Sequence, residues 1–350
     1  MDNTQECKES PRDKVAKRFA SVSLEEPINA KLFELALVYG ERSSPDAEFT
    51  CDMHPDLPNA AQILEMRRKH SLLPLDSVEM RLSLPSLPSI IMELQQAVAR
   101  QDSSEQIAAL ISQDPKLTMA VLSLANSPLY GLTSKVESLP RAVTYIGTRE
   151  ISALALGVRL LAMFEENAPR NFPLTTFWKH SLATAVLAHE IASLCRRSEP
   201  ERFFTAGLLH DVGRVVLCSN FPDLYAVVMA LHQERSTPLN KGELAIFDVD
   251  HAMIGGLFFA KWGLPSTIVN SALFHHSPQD CVDLEGADVV YVANQLATAL
   301  GIGCNRVYTM KPGEEVWNRL GLDVEQLTTL VETIEGRLNE MFTSLFPSPS

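Results

Sequence analysis

From about Arg81 onward the apolar residues recur at helical spacing, and the turn residues fall where helices should start and stop. Ser103 and Gln106 form a capping box that predicts a helix running through Ile111. Asp114-Pro115 places a side-chain acceptor at an N-cap and proline at the first helical position, so a helix is expected over 116–125. Asn126-Ser127-Pro128 and Gly131 break the pattern. Pro140 then opens a helix that Gly147 closes, and Thr148 is placed to cap the apolar helix that follows. Beyond Pro173 the pattern predicts helices over 177–195, 201–216, 222–234, 241–262, 265–274 and 286–300, and one more over 324–346. No segment alternates as a strand would. The fold class is therefore all-α, with two packed helical units at 80–165 and 173–300.

The flanks read differently. Residues 1–22 are polar and charged, which predicts disorder. Residues 24–75 carry two short apolar patterns, around 32–38 and 60–66, joined by a Ser/Pro/Asp-rich stretch at 43–58. Residues 1–75 are thus expected to be an N-terminal extension, partly disordered with short helices, and 301–350 a C-terminal extension with a helix.

Composition narrows the function classes. The chain has 350 residues, 46% hydrophobic and 21% charged, as in an ordinary globular protein. A net charge of −13 argues against a general nucleic-acid binder or a partner of anionic membranes, since both need a basic surface. The six cysteines, at 7, 51, 195, 218, 281 and 304, are dispersed and contain no C-x-x-C pair, which suits reduced thiols and a cytoplasmic location. The N-terminus has no apolar core of a secretory signal. The most hydrophobic window, 151–164, is interrupted by Arg159 and is too short to span a bilayer.

The chemistry gathers at His210-Asp211, inside the apolar stretch 206–217. A buried carboxylate without a partner is disfavoured by several kcal/mol or more, so Asp211 must be paired, protonated or bound to a metal. His180, His251, His275 and His276 are the candidates to share its site. Imidazole with carboxylate is the ligand set of a Zn, Fe, Mn or Ni ion. It also makes a metal-free hydrogen-bonded network, with Asp211 satisfied by histidine N–H groups. Spacing excludes His189, because nine residues at about 100° each put it on the opposite side of a helix from His180. It is expected to be a surface or capping residue. His54, His70 and His232 have polar neighbours and no partner pattern.

Several motifs carry a resemblance. Trp178-x-His180-Ser181, the run 206–213 containing His210-Asp211, and Trp262-x-Leu264-Pro265 followed by His275-His276 resemble the HDOD family, a branch of the HD-domain superfamily. So do Leu84-Pro85-x-Leu87-Pro88, Asp114-Pro115-Lys116-Leu117 and Ala125-Asn126-Ser127-Pro128-Leu129-Tyr130-Gly131. The resemblance covers roughly residues 80–300 and implies an HD-like helical bundle in bacterial signal transduction, usually an output or scaffold module without demonstrated hydrolase activity. In catalytic HD phosphohydrolases the pattern His…His-Asp…Asp holds metal that activates water. Carried over, its ligands fall on His180, His210, Asp211 and Asn294. The related HD-GYP phosphodiesterases, which cleave cyclic di-GMP, add ligands that match His251, His275 and His276. Three departures stand out. Asn294 is a neutral amide where the family pattern has a carboxylate. Arg214 stands where those phosphodiesterases have lysine, and arginine is no free substitute at a crowded site. His276 runs into Ser277-Pro278-Gln279-Asp280, not Gly-Tyr-Pro.

The expected function is a non-catalytic regulatory module that binds a signalling protein or a nucleotide ligand. The alternative is a metal-dependent phosphohydrolase acting on nucleotides or cyclic dinucleotides, in which Asp211 would be catalytic.

Overall fold

The computed structural model describes residues 10–19, 25, 27–42, 62, 65–66, 82 and 86–345, apart from 128, 131–133, 170–171, 236, 283 and 304–313. The expected linker at 43–58, His54, His70, Cys7, Cys51 and Cys304 lie outside these residues, as does most of the helix expected over 60–66. The described residues are helical, with no strand among them.

Two N-terminal helices, α1 (Pro11–Arg18) and α2 (Pro27–Arg42), precede the first unit, and α1 forms within a stretch expected to lack structure. The first unit contains α3 (Ser89–Ala99), α4 (Ser104–Ile111), α5 (Pro115–Ala125), α6 (Leu139–Ile146) and α7 (Thr148–Asn167). Their starts follow the capping chemistry. Ser103 and Gln106 make both bonds of the capping box, at 3.4 and 2.8 Å, and Asp114 accepts from Leu117 N–H at 3.1 Å. Gly147 closes α6 with φ of 110°, and Thr148 is the first residue of α7 instead of its cap.

The second unit is α8 (Leu174–Leu194), α9 (Pro200–Leu209), α10 (Val212–Asn220), α11 (Pro222–Arg235), α12 (Leu239–Phe247), α13 (His251–Lys261), α14 (Ser266–Phe274) and α15 (Leu284–Leu300). Two of the expected long helices are each split in two. The helix expected over 201–216 breaks at His210-Asp211, where Asp211 leaves helical geometry (φ −95°, ψ 3°). The helix expected over 241–262 breaks at 248–250, where Asp248 is left-handed (φ 62°) and the Asp250 carboxylate caps α13 from Met253 N–H. Apolar periodicity runs through both breaks because the flanking helices bury the same kind of residue on each side.

α8 is apolar around most of its circumference and is correspondingly central, packing most extensively on α9 and α15. Gly207 lets α9 close on it, since a Cβ there would meet Ala185 Cα and Thr184 O at 2.9 Å. α7 joins the units by packing on both α3 and α9. The last helices are α16 (Glu314–Leu320) and α17 (Val324–Leu345), and α17 lies against α2, α5 and α8. One apolar cluster runs from Val15 to Met341. No helix among the described residues is long and apolar enough to cross a membrane.

Candidate metal centre

Each break in the second unit delivers site residues. The turn between α9 and α10 carries His210 and Asp211, and the start of α13 carries His251. The end of α14 supplies His275 and His276, while His180 projects from α8 and Asn294 from α15. Gly213 brings the two breaks together, because a Cβ there would meet the His251 carbonyl oxygen at 2.0 Å. Asp211, His180, His210, His251, His275 and Asn294 are all buried, and His276 partly so.

Four rings are fixed by their outer nitrogens. His180 donates Nδ1–H to Ile302 O at 3.0 Å, His210 to Gly207 O at 2.7 Å, and His275 to Ala272 O at 2.8 Å. Carbonyl oxygens only accept, so each Nδ1 carries the proton and each Nε2 presents a lone pair when the ring is neutral. His251 directs Nδ1 to Glu243 Oε2 at 2.5 Å. Outer-nitrogen tethering of this kind orients metal-ligating histidines.

The inner nitrogens converge on one oxygen. Asp211 Oδ1 lies 3.1 Å from His251 Nε2, 3.3 Å from His210 Nε2 and 3.4 Å from His275 Nε2. His251 Nε2 is also 3.2 Å from His275 Nε2 and 2.9 Å from His276 Nε2. A cation with ligand bonds of about 2.0–2.2 Å needs its donors roughly 3–3.5 Å apart, as these are. His210 Nε2 has no hydrogen-bond partner although fully buried, which is the other mark of a place for a cation. His210, Asp211, His251, His275 and His276 therefore fit a metal ion. Two separate groups, His180/His210/Asp211 and His251/His275/His276, each have ligand atoms close enough to hold one.

His180 and Asn294 fit less well. Burial pulls the His180 pKa down and keeps the ring neutral, so its one proton goes to Ile302. Its Nε2, 2.9 Å from Asn294 Oδ1, must then accept, so the amide has to be turned to present its N–H there. That contact occupies the lone pair a metal would need.

The charges are set by burial and by neighbours. Burial takes His210 down to about 3, against the attraction of Asp211. Burial and the neighbouring His275 and His251 also hold His276 well below the usual imidazole value. For His251 burial acts in the same sense, yet the Glu243 and Asp211 carboxylates raise it to about 10. Burial would raise Asp211, but His210, His251 and Arg214 hold it well below the ordinary carboxylate value. Arg214, itself buried beneath the Phe177 ring, gives Nη1–H to Asp211 Oδ2 at 2.9 Å.

Glu243 and Tyr225 were not among the residues expected from sequence. A signal existed for Glu243, a lone carboxylate between apolar residues of 239–247, but the helix break separating it from His251 hid the pairing. The excluded histidines behave as expected in one respect, since His189 and His232 stay outside this centre. His189 is not at the surface, however. It is buried, with Glu190 at 3.7 Å and Glu201 at 3.9 Å, because the C-terminal helix α17 and Tyr130 of the loop after α5 pack on that side of α8.

Comparison with known proteins places this site in a family. The HDOD domain profile matches residues 84–278. An uncharacterized protein of Treponema pallidum (strain Nichols) is 29% identical over 196 residues, 55% of this chain, and the chain spans 38% of that relative's length. Among solved structures, an HDOD domain protein of unknown function from Geobacter sulfurreducens superposes with TM-score 0.64 at 23% identity, covering 83% of this chain and 99% of its own. A Shewanella amazonensis SB2B protein called "Putative phosphohydrolase" gives 0.61 at 24% identity, covering 77% and 97%. One from Marinobacter aquaeolei VT8 called "Putative signal transduction protein" gives 0.63 at 20%, covering 83% and 66%. At these identities the structures establish the fold alone.

Proposed function

The chain belongs to the HDOD family, and from that premise we propose that it is a non-hydrolytic regulatory module of bacterial signal transduction, acting on a signalling protein through its helical surfaces. The observation that supports this most is the state of Asp211. One carboxylate oxygen is bound by the buried Arg214 guanidinium, and the other is enclosed by histidines. With Asn294 in place of the last carboxylate, the centre has little anionic charge to spare for activating water on a phosphoester. The same residues suit a structural cation, or a charge-balanced polar core, that keeps α9, α10, α13 and α14 in register.

A second reading, metal-dependent phosphohydrolysis, is favoured by the inward-facing Nε2 atoms of His210, His251 and His275. A divalent cation there would act as a Lewis acid and lower the pKa of bound water towards neutrality. The two readings part in one experiment. The full chain, supplied with Mn²⁺ or Fe²⁺, is incubated with cyclic di-GMP and with bis(p-nitrophenyl) phosphate. The regulatory reading expects no turnover above that of Asp211→Ala. Metal-dependent turnover abolished by that substitution overturns it.

A further inference from the structure

Glu243 is completely buried on α12, and both of its oxygens are used. Oε2 accepts from the ring Nδ1–H of His251 at 2.5 Å and from the His251 main-chain N–H at 2.8 Å. Oε1 accepts from the Tyr225 hydroxyl at 3.3 Å. Tyr225 in turn interacts with Arg214, which holds Asp211, whose other oxygen faces His251 Nε2. Tyr225, Glu243, His251, Asp211 and Arg214 thus form a continuous chain of buried polar side chains at the centre. The Gly213 backbone packs against the start of α13, where an added Cβ would run into the His251 carbonyl.

We infer that Glu243 is a positioning residue for the cation centre, fixing His251 with Nε2 inward and supplying the negative charge that Arg214 withdraws from Asp211. This rests on the histidine–aspartate cluster binding a cation. The charge argument is simple. Histidines are neutral once they ligate, His251 giving up one proton as the cation binds, and Asp211 is offset by Arg214 across 2.9 Å. Among the described residues, Glu243 is the remaining anion in hydrogen-bond contact with a ligand. A carboxylate behind imidazole makes the ring a stronger donor, and losing such a partner lowers metal affinity by about 10–100-fold. A carboxylate serving only to anchor the first turn of α13 would affect folding and leave affinity alone.

The test uses the chelator-treated full chain and Co²⁺, with affinity read by calorimetry and the ligand set by visible absorption. Glu243→Gln is expected to weaken Co²⁺ binding by about 10–100-fold and to change the absorption spectrum. Tyr225→Phe should weaken it in the same direction by less, and it decides the matter if Glu243→Gln does not fold. Asp288→Asn is the structural control. It weakens a partly buried pair with Arg319, at 2.6 and 2.7 Å, and should lower the melting temperature without changing Co²⁺ affinity. Wild-type affinity in Glu243→Gln overturns the inference, and so do wild-type affinity in Tyr225→Phe when the first variant is unfolded and a wild-type chain that binds no Co²⁺. Hydrolysis assays bear on the proposed function separately, since a chain can bind Co²⁺ through Glu243 and His251 whether or not it turns over a phosphoester.

Discussion

Arg214 and Asp211, three residues apart across a helix start, share a hydrogen bond of 2.9 Å with both side chains almost wholly out of water. Removing either partner strands a buried charge. Asp211→Ala leaves the guanidinium without its carboxylate, and the expected loss is about 3–5 kcal/mol. Asn294 is neutral, so Asn294→Ala should cost only about 1–3 kcal/mol. Denaturant unfolding of the two variants checks the order. An Asp211→Ala chain as stable as wild type would mean that the pair carries no net burden of burial.

Arg214→Met tests the same pair from the other side. The carboxylate loses its charge partner in an apolar setting, and metal-free stability should fall by about 3–5 kcal/mol. The freed oxygen also gives the centre one more negative charge. Added Co²⁺ should therefore raise the melting temperature of Arg214→Met more than that of wild type, as measured by thermal scans with and without the ion.

Two glycines should respond oppositely to alanine. At Gly213 a methyl group would meet backbone, His251 O at 2.0 Å and Gly255 N at 2.9 Å, so α10 and α13 have to separate. Overpacking of this kind costs about 1–3 kcal/mol, and here it also moves His251 away from Asp211. Gly336, in α17, has nothing within 4 Å of an added Cβ. Gly336→Ala should stabilise by about 0.5–1 kcal/mol through helix propensity. Unfolding midpoints of the two variants provide the comparison.

His189 provides a pH dependence independent of the metal centre. Burial lowers its pKa, but Glu190 and Glu201 outweigh that and raise it overall. Arg337 of α17 binds Glu190 from the other side, and the Tyr130 ring covers the imidazole edge-on. A histidine with a raised folded pKa stabilises the fold fully below its unfolded value of about 6.5, and that stabilisation is lost as pH rises through the folded value. The stability difference between wild type and His189→Gln should accordingly shrink as the pH is raised above about 6.5. A difference that is flat or grows with pH contradicts the pairing.

The sequence by itself determined the all-α class, the first-unit caps at Ser103 and Asp114, and the family, and it singled out the histidines and Asp211 that the fold gathers in one place. These are local signals: a cap is legible because its donor and acceptor are three residues apart, and helices are legible because burial repeats every turn. The His180–Asn294 contact was legible through the family pattern, at a separation of 114 residues. The tertiary structure alone decided that the helices break at His210-Asp211 and at Asp248–Asp250, since each break is stabilised by partners that apolar periodicity does not register. It also decided that Glu243 stands behind His251, that Arg214 takes one oxygen of Asp211, and that His189 is buried among carboxylates. The physical reason is common to all three. A charged side chain reads as solvent-facing in sequence, and only the packing of distant helices reveals which charges lose their water and must find one another.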